Sequence, residues 1–593
     1  MLSRKEISCD VCVVGGGMAG IAAAVSAARE GLRVELMHER PVLGGNASSE
    51  IRMWISGAHG SNNRETGIIE EIALENLYRN PTKSYAVWDS VLYGFVRGEE
   101  NIRLLLNCTC MDAETSTGTF AHGRTVRIQS VTGYQMTTQC FYTVSAAYFC
   151  DCSGDSILAP LCGAESRMGR ESAGEFGELT SAASADAKTM GMSCLLQGRE
   201  TAQPIRFTPP AWGARLTEAD FRDREPDIYN DDENFWYLEL GGDRDSIADT
   251  EQVRDELLSL AVGAWDYIKN SGRFRAENWD LEFLGFLPGK RESRRMCGEY
   301  MVTQRDISGG RVFPDEVAFG GWPLDDHFPD GFYHRGVPNT DYHTPAPYSI
   351  PYRALYSKNV DNLFFAGRNI SATHMAMSST RVMATCALLG EAVGKAASLA
   401  VRAGCSPHDV YLSQLDRLQT LLLNADCFLP SKRRPVSVLC RQAALSGASD
   451  RIRNGEDRPH ALYGTDEESA CCRIAPNAEV VYRFPAADVQ SVHIVFSSDL
   501  DRRTLAGSET ERTQPTRANH RLDSPQQHLP MTLCREFLLT GRLDGAAVEL
   551  LRVDDNRKRC YHLPVGRRLD ELRLTLVSAW GEREIPLLSF DFC

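Results

Sequence analysis

Three glycines with the spacing GxGxxG lie near the amino terminus, in the segment CVVGGGMAG. Gly15 permits a tight turn, Gly17 lets the backbone approach a pyrophosphate, and Gly20 allows a helix to pack closely on a strand. Glu39 stands about 20 residues further on, where a carboxylate accepts hydrogen bonds from a ribose. The spacing predicts a dinucleotide-binding unit, and a tight turn without a ligand is the alternative.

Four histidines lie in polar loops rich in glycine or proline, and histidine takes up or releases a proton near neutral pH. They are His59 in WISGAHGSNN, His327 in PLDDHFPDG, His343 in TDYHTPAPYS and His374 in NISATHMAMSS. Each is a candidate for acid–base chemistry, and a structural role is the alternative for each.

The residues around the glycines predict the elements that position them. CDVCVVGGGMAG indicates a buried strand and a turn, Ile21 to Arg29 a helix of small residues, and LRVELMHE a second strand. That order implies a parallel, right-handed crossover. TVRIQSVTGYQ and QCFYTVSAAYF are typical of hairpin partners. We therefore expect an α/β fold with a Rossmann-type domain.

Changes in composition along the chain indicate four segments. Residues 1–190 and 343–429 are expected to form two parts of the nucleotide-binding domain, the second with a connecting helix. Residues 191–342, rich in proline, aromatic and acidic residues, are expected to form an inserted α+β substrate or cap domain. Residues 430–593 alternate short strands with turns, which predicts a carboxy-terminal β-sandwich.

Composition limits the classes of function. The formal net charge of −15 over 593 residues argues against a broad nucleic-acid-binding face. The 19 cysteines lack the spacing of a disulfide scaffold or a metal site, so we expect buried thiols and no metal. The amino terminus lacks a signal-peptide core, and Glu391 and Lys395 interrupt the longest apolar helix. We expect a cytoplasmic protein without a membrane partner.

Four ordered segments resemble the FAD-dependent oxidoreductases of the glutathione-reductase-like structural class. Besides the GxGxxG turn they are ERPVLGGNAS, FCDCSGDSILAPLCGA and NLFFAGRNISATHMAMSSTRVMATCALLGEAVG, which extend the resemblance to about Gly404. Cys152, Ser153 and Ser156 depart from the family's DATGDG element, and Arg368 stands where many relatives have Asp. The resemblance implies FAD as cofactor, bound by Gly15, Gly17, Met18, Ala19, Gly20, Glu39, Arg40, Gly44, Gly45, Asn46, Ser153, Gly154, Asp155, Gly367, Arg368 and Arg381.

The last of these segments predicts a long helix whose amino terminus faces the flavin. Ser378, Ser379 and Thr380 are suitable amino-terminal caps, and small residues follow them at helical spacing. The positive end of such a helix suits the electron-rich edge of a reduced flavin. Arg381 would lie in the first turn, where an anionic partner is one interpretation and an ordinary ion pair the other.

Candidate catalytic residues follow from the family resemblance. Oxidation of an alcohol by a flavin needs a base for the hydroxyl proton, and we expect His374 to be that base and His59 to orient the hydroxyl, with Arg381 as a further catalytic candidate. GGWPLDDHFPDG and YSIPYRAL resemble family elements, which makes Asp325, His327, Tyr352 and Arg353 candidates for substrate recognition. The arginines of KRESRR are expected to form a structural ion-pair network, and an active-site role for Arg291 or Arg294 is the alternative.

These expectations combine into a functional hypothesis. The chain is expected to be an FAD-dependent oxidoreductase that transfers two electrons to or from a small polar substrate, with an electron acceptor that the sequence does not identify. The carboxy-terminal segment resembles galactose-binding-like modules, which favours a sugar or glycoside. The alternatives are a flavin monooxygenase, an acid-reducing flavoenzyme, or a carbohydrate-binding protein in which FAD is structural.

Overall fold

The computed structural model describes residues 2–221, 224–230, 233–345, 347–505, 514–581 and 584–593. The chain divides into two compact units. The first comprises Met1–Ala58, Thr82–Leu415 and Gln514–Pro525, and the second comprises His59–Pro81, Asp416–Thr513 and Gln526–Cys593. The four-segment division expected at residues 190, 342 and 429 is finer than this and stays a prediction.

Strands and helices alternate in the first part of the chain. They are β1 (Ser3–Val14), α1 (Met18–Arg29), β2 (Val34–Met37), α2 (Ile68–Arg79), α3 (Tyr85–Arg97), β3 (Ile102–Leu105), β4 (Cys108–Thr117), β5 (Val126–Gln135), β6 (Cys140–Asp151), α4 (Leu158–Cys162), β7 (Ser166–Arg167) and α5 (Ala173–Phe176).

The middle of the chain has short strands around one long helix. Its elements are β8 (Met192–Ser193), β9 (Leu196–Glu200), α6 (Glu218–Phe221), β10 (Glu239–Leu240), α7 (Thr250–Asn270), β11 (Trp279–Leu284), β12 (Gly289–Lys290), β13 (Arg295–Met296), α8 (Gln304–Ser308), β14 (Glu316–Gly320), β15 (Leu324–His327) and β16 (Asn339–Tyr342). One buried face of α7, including Leu257 and Trp265, forms a core with Trp279 and Phe332. The inserted α+β domain expected for residues 191–342 stays a prediction, since these elements belong to the same compact unit as the main sheet.

Two further groups of elements complete the chain. Up to residue 424 they are β17 (Tyr348–Pro351), β18 (Leu363–Phe365), α9 (His374–Thr380), α10 (Met383–Ala403), α11 (Pro407–Ser413) and α12 (Leu415–Asn424). The remainder consists of α13 (Val438–Gln442), β19 (Ala444–Ser446), α14 (Glu467–Ala470), β20 (Cys472–Ile474), β21 (Ala478–Phe496), β22 (Cys534–Leu543), β23 (Ala546–Val553), β24 (Cys560–Ala579) and β25 (Ile585–Phe592).

The main sheet of the first unit confirms the Rossmann-type prediction. Strands β3, β2, β1 and β6 are parallel neighbours in that order, β18 adds in parallel to the end of β6, and β5 and β4 follow in antiparallel. Val14 is paired with both Met37 and Asp151, and Asp151 is paired with Phe365. The five parallel strands therefore end at one edge, where α/β folds bind their ligands.

Helices α1 and α10 pack on each other through small residues. A Cβ at Gly390 would lie 2.0 Å from the Ala19 carbonyl oxygen, and one at Gly394 would lie 2.6 Å from that of Ala23. Among the described residues, α10 is long and apolar enough to cross a membrane, but 94% of its most apolar stretch is buried inside the protein. Its close packing on α1 accounts for that composition.

The expected start of the late helix is wrong by several residues. A separate short helix, α9, begins at His374, and the Thr373 side chain caps it by accepting a hydrogen bond from the Ala376 amide. Ser378 lies inside α9, where its hydroxyl donates to the Met375 carbonyl oxygen. Arg381 is the carboxy-terminal cap of α9 instead of a first-turn residue of α10, a position where a cation is favourable.

The second unit contains an antiparallel β-sandwich. Its strands are ordered β20, β25, β21, β24, β22 and β23, with β19 added to β21. Register shifts within β21, near Arg483 and Val489, let this strand bend. Side chains from both halves of β21 then contribute to one core, as Tyr482 and Phe496 do, and Leu74 and Leu77 of α2 belong to the same core.

Candidate functional site

The glycine loop after β1 lies at the carboxyl edge of the sheet. Gly15 has φ +106°, and a Cβ there would lie 2.3 Å from the Cys152 carbonyl oxygen. A Cβ at Gly20 would lie 1.8 Å from the Gly15 carbonyl oxygen. At Gly17 a Cβ would meet only the Cα of Gly45, at 3.8 Å. The first and third glycines are thus required by packing, whereas Gly17 faces open space.

That open space lies at the amino terminus of α1. Gly17 is the N-cap and carries no side-chain cap, so the first amides of Met18 and its neighbours are available to a ligand. The Gly44 amide donates to the Gly16 carbonyl oxygen at 2.9 Å, which holds the second glycine loop against the first. Gly44 and Gly45 both have positive φ, +109° and +61°. Two backbone loops therefore form a cradle without side chains.

Charged residues follow β2 at the same edge. Burial raises the pKa of Glu39, but the neighbouring His38 and Arg40 outweigh burial and lower it to about 2. Its carboxylate is therefore ionised at neutral pH and can accept hydrogen bonds. Arg40 donates to the Gly45 carbonyl oxygen at 3.4 Å. The Asn46 side chain donates to the Lys290 carbonyl oxygen at 2.9 Å, which ties the second glycine loop to β12.

The loop after β6 carries a carboxylate with two cationic partners. Asp155 Oδ2 lies 2.8 Å from Lys290 Nζ, and Oδ1 lies 2.7 Å from Arg368 Nη2. Burial opposes ionisation, but Arg368 and Lys290 lower the pKa of Asp155 to about 2. Ser153 caps the turn through its hydroxyl, which bonds Asp151 at 2.7 Å. The pair of cations around one carboxylate leaves a net positive charge at this edge.

The loop after β18 approaches the first glycine helix. Gly367 has φ +120°, and a Cβ there would lie 3.6 Å from the Ala19 Cβ. A Cβ at Gly154 would lie 2.7 Å from Arg368 Nη1. The structure thus brings the four predicted segments together at one edge of one sheet.

A second group of charged side chains joins α9 to β15. Arg381 Nη2 donates to Asp325 Oδ2 at 2.9 Å, and Asp325 Oδ1 lies 3.4 Å from His327 Nε2. His327 Nδ1 lies 2.9 Å from the buried carboxylate of Glu239, which is also 2.8 Å from Arg291. Three of the predicted residues, Asp325, His327 and Arg381, therefore form one connected network.

His374, the first residue of α9, lies between two other carboxylates. Its Nδ1 lies 2.8 Å from Glu292 Oε2, and its Nε2 lies 2.9 Å from Asp326 Oδ1. Burial lowers the pKa of His374, but Glu292 and Asp326 outweigh burial and raise it to about 10. The imidazole is therefore protonated at neutral pH and donates from both nitrogens. This geometry does not fit the base role predicted for His374.

The charged side chains around His327 and His374 are together called the histidine group. One short stretch of chain links this group to the glycine edge, the sheet edge that carries Gly15, Gly17 and Gly45. Lys290 contacts Asp155, and Glu292, two residues later, contacts His374. Two residues of extended chain span roughly 7 Å. Arg291 and Arg295 lie in the same stretch and form buried ion pairs with Glu239 and Glu171. These pairs are the structural network expected for KRESRR.

The sequence family agrees with this geometry. A family model described as FAD dependent oxidoreductase matches residues 10–422, more than two thirds of the chain. The chain belongs to the FAD-dependent oxidoreductase family. FAD is its cofactor, and the protein is an oxidoreductase.

Solved structures add only distant likenesses to this flavoprotein. A geranylgeranyl bacteriochlorophyll reductase-like protein from Thermoplasma acidophilum is 11% identical, with 70% of this chain and 84% of that chain covered at a TM-score of 0.29. L-proline dehydrogenase from P. horikoshii is 18% identical, with 26% of this chain and 24% of that chain covered at 0.15. A family 32 carbohydrate-binding module from Streptococcus pneumoniae EndoD is 12% identical, with 26% and 99% covered at 0.19. No curated protein sequence matches the flavoprotein. The family match alone carries the assignment.

The residues at the sheet edge fit FAD. The space beside Gly17 is bounded by backbone, so a diphosphate can approach the amides at the start of α1. Lys290 and Arg368 add positive charge, and the buried Nε of Arg368 has no hydrogen-bond partner in the described part of the chain. Glu39 would hold the ribose, as its ionised carboxylate requires a hydrogen-bond donor. The predicted cofactor residues thus suit a dinucleotide in charge and shape.

Two residues predicted to recognise substrate have structural partners. The Tyr352 side chain is fully buried and its hydroxyl donates to the Pro407 carbonyl oxygen at 2.9 Å. Arg353 forms a two-point ion pair with Asp315, at 2.8 and 3.0 Å. Because the buried Tyr352 hydroxyl is used by the Pro407 contact, the substrate role predicted for Tyr352 is wrong, whereas the role predicted for Arg353 stays a prediction.

His59 lies outside the unit that contains the other candidates. It belongs to the second unit, where its carbonyl oxygen accepts a hydrogen bond from the Asn63 side chain at 2.6 Å. His343, the fourth histidine, is exposed. The role expected for His59 in orienting the hydroxyl stays a prediction.

Sequence reasoning missed the carboxylates that face the two buried histidines. Glu239 and Glu292 lie 88 and 82 residues from their partners in the chain. The available signal was adjacency: Glu292 lies inside KRESRR, and Asp326 separates Asp325 from His327. Lys290 was missed in the same way, although it begins that motif.

Proposed function

We propose that this flavoprotein oxidises or reduces a small polar substrate that carries a hydroxyl group. The observation that carries the proposal is the buried group of acid–base side chains at β15 and α9, which a short stretch of chain links to the FAD edge. FAD, when bound, supplies the acceptor or donor of a hydride. The histidine group supplies side chains that exchange a proton with the substrate hydroxyl and hold the hydroxyl oxygen by hydrogen bonds.

The charged side chains of this group suit a substrate with several hydroxyls. Asp325 and Arg381 present a carboxylate and a guanidinium side by side, 2.9 Å apart. Such a pair both accepts and donates hydrogen bonds. Burial of these groups keeps water away and strengthens their interactions. This supports the preference for a sugar or glycoside over an apolar substrate.

The β-sandwich gives separate support for a carbohydrate. We propose that it is a galactose-binding-like module and that the FAD domain belongs to the glutathione-reductase-like class. The antiparallel strand order and the large apolar core of the sandwich are compatible with that module. A cytoplasmic location, a small-molecule substrate, an electron acceptor of unknown identity and the absence of nucleic-acid and membrane partners complete the proposal.

An anaerobic screen tests the proposal against its alternatives. Oxidised protein is mixed with sugars, glycosides and hydroxy acids, and the flavin absorbance is followed. Flavin reduction by a sugar or glycoside supports the proposal. Reduction by hydroxy acids alone would show that the substrate is a hydroxy acid and not a carbohydrate. A monooxygenase would be reduced by a nicotinamide cofactor instead. A carbohydrate-binding protein with structural FAD would bind sugars without loss of flavin colour.

A further inference from the structure

The two buried histidines have closely parallel surroundings. Each lies between one glutamate of the inserted segment and one aspartate of β15. The aspartates are neighbours in sequence, and successive side chains of a strand point to opposite faces. Asp325 accordingly faces His327, and Asp326 faces His374. The same three residue types, histidine, glutamate and aspartate, thus occur twice, which allows their electrostatics to be compared directly.

The carboxylates at His327 are neutralised by arginines. Glu239 lies 2.8 Å from Arg291, and Asp325 lies 2.9 Å from Arg381. Two anions and two cations sum to zero before His327 itself is counted. Asp341 on the neighbouring strand β16 is exposed and adds one more distant carboxylate. The charges of the four nearest ionisable partners of His327 therefore cancel.

The carboxylates at His374 are only partly neutralised by arginine. Asp326 has no lysine or arginine within ion-pair distance in the ranges that the structure describes. Arg295 lies 3.5 Å from Glu292 but is shared with Glu171, at 3.0 Å. Three anions and one cation leave a net charge of about −2 around His374.

Further groups around His374 do not change this balance. The Glu171 carboxylate also accepts the His374 amide, at 2.8 Å. Arg170 is nearby but forms its own ion pair with Asp186. Protonated His374 therefore offsets part of the negative charge of its group.

The hydrogen-bond distances agree with this contrast. Both nitrogens of His374 are within 2.9 Å of a carboxylate oxygen. His327 has one such contact, at Nδ1, while Nε2 lies 3.4 Å from Asp325 Oδ1, longer than the roughly 2.9 Å of an N–H···O bond. A histidine held at Nδ1 by a buried carboxylate presents the lone pair of Nε2.

We infer that His327, oriented by Glu239, is the general base of the proposed reaction and that His374 is a permanently protonated positioning residue. The inference rests on the proposed hydroxyl substrate. In the oxidation, the hydroxyl proton passes to Nε2 of His327 and the carbon–oxygen bond becomes double. The electron pair of the C–H bond leaves with its hydrogen as a hydride, for which FAD is the acceptor in this family. His374 acts through Asp326, which it holds beside His327 in β15.

Nitrogen-15 NMR of histidine-labelled holoprotein tests the inference without a substrate, so its failure is distinct from failure of the proposed function. His327→Gln and His374→Gln each remove one set of signals and thereby assign it. At about pH 7 we expect the His374 signals to be those of an imidazolium with both nitrogens protonated. We expect the His327 signals to be those of a neutral ring with the proton on Nδ1. A neutral His374, or a cationic His327 at about pH 8, would overturn the inference.

Arg381→Met provides a second variant that keeps both histidines. Removing the cation next to Asp325 leaves that carboxylate free to attract a proton onto His327. We expect the His327 signals to change toward those of an imidazolium and the His374 signals to stay unchanged. An equal response of both histidines, or none, would contradict the assigned division of roles. Arg353→Met, which removes an arginine bound to Asp315, is the matched control.

Discussion

The raised pKa of His374 predicts how the stability of this flavoprotein depends on pH. The folded protein binds the His374 proton more tightly than the unfolded chain does, because Glu292 and Asp326 outweigh the effect of burial. The stabilisation is therefore complete below the unfolded pKa of about 6.5 and is lost as the pH rises toward 10. Replacing His374 with Gln removes the titrating group and should flatten this part of the profile.

The size of the effect follows from the pKa. A rise from 6.5 to about 10 corresponds to roughly 4 to 5 kcal/mol, since a tenfold change in proton affinity is worth about 1.4 kcal/mol. Between pH 6.5 and 9 the loss should be on the order of 3 kcal/mol. Loss of one member of a buried ion pair has a similar cost, about 3–5 kcal/mol. Asp326→Asn removes one of the two carboxylates and should give about half of the pH dependence.

Urea unfolding of the holoprotein at about pH 6.5 and 9 measures this difference. The wild-type protein should lose clearly more stability over this range than His374→Gln does. His343→Gln, which changes an exposed histidine, should behave like the wild type. Equal pH dependence in the wild type and in His374→Gln would refute the assignment of a raised pKa to this residue.

Further predictions concern the cofactor site, the base and the second unit. Gly17→Val should fold with little change in thermal stability but fail to bind FAD, because its side chain enters open space at the phosphate cradle. Titration of the apoprotein with FAD measures this, with Gly94→Ala as control. Wild-type affinity for FAD in Gly17→Val would contradict the proposed cradle. His327→Gln should keep FAD and slow anaerobic flavin reduction by a factor on the order of 10²–10⁴, and unchanged reduction in stopped flow would exclude it as the base. Glu70→Gln should lower the free energy of unfolding by about 3–5 kcal/mol, because the buried Arg502 then lacks its carboxylate 2.6 Å away, and a change below 1 kcal/mol in denaturant unfolding would contradict this.

The glycine edge could be predicted because its requirements are local. Gly15 is required by its positive φ in the turn, and Gly20 by its close contact with the Gly15 carbonyl oxygen, so their spacing in sequence is a direct consequence of the turn. Small residues on α10 predicted its packing on another helix, and Gly390 indeed contacts Ala19. Such contacts leave a signature in residue type at fixed spacing.

The start of the late helix could not be predicted from local signals. Thr373, Ser378 and Ser379 are all acceptable caps by residue type. Which of them caps a helix depends on long-range contacts, such as the bond between Arg381 and Asp325, 56 residues away. In the structure Thr373 is the amino-terminal cap of α9, and two helices, α9 and α10, occur where one was expected.

The roles of the polar candidates depended on partners that no local pattern contains. Tyr352 was suggested by a family-like element, but Pro407 uses its hydroxyl. His374 has the residue type of a base, yet two distant carboxylates keep it protonated. Residue type identified the right region of the chain. The contacts in the folded structure were needed to distinguish a base from a protonated or a structural residue.

The central claim is that this flavoprotein oxidises or reduces hydroxyl-bearing molecules through the histidine group. The most direct measurement is anaerobic stopped-flow mixing of the FAD-loaded protein with sugars and glycosides, followed through the oxidised-flavin absorbance. We predict rapid loss of that absorbance with at least one such compound, and a loss slowed about 10²-fold or more in His327→Gln at equal FAD content. Full reduction at the same rate in both proteins, or binding of sugars without any reduction, would contradict the account.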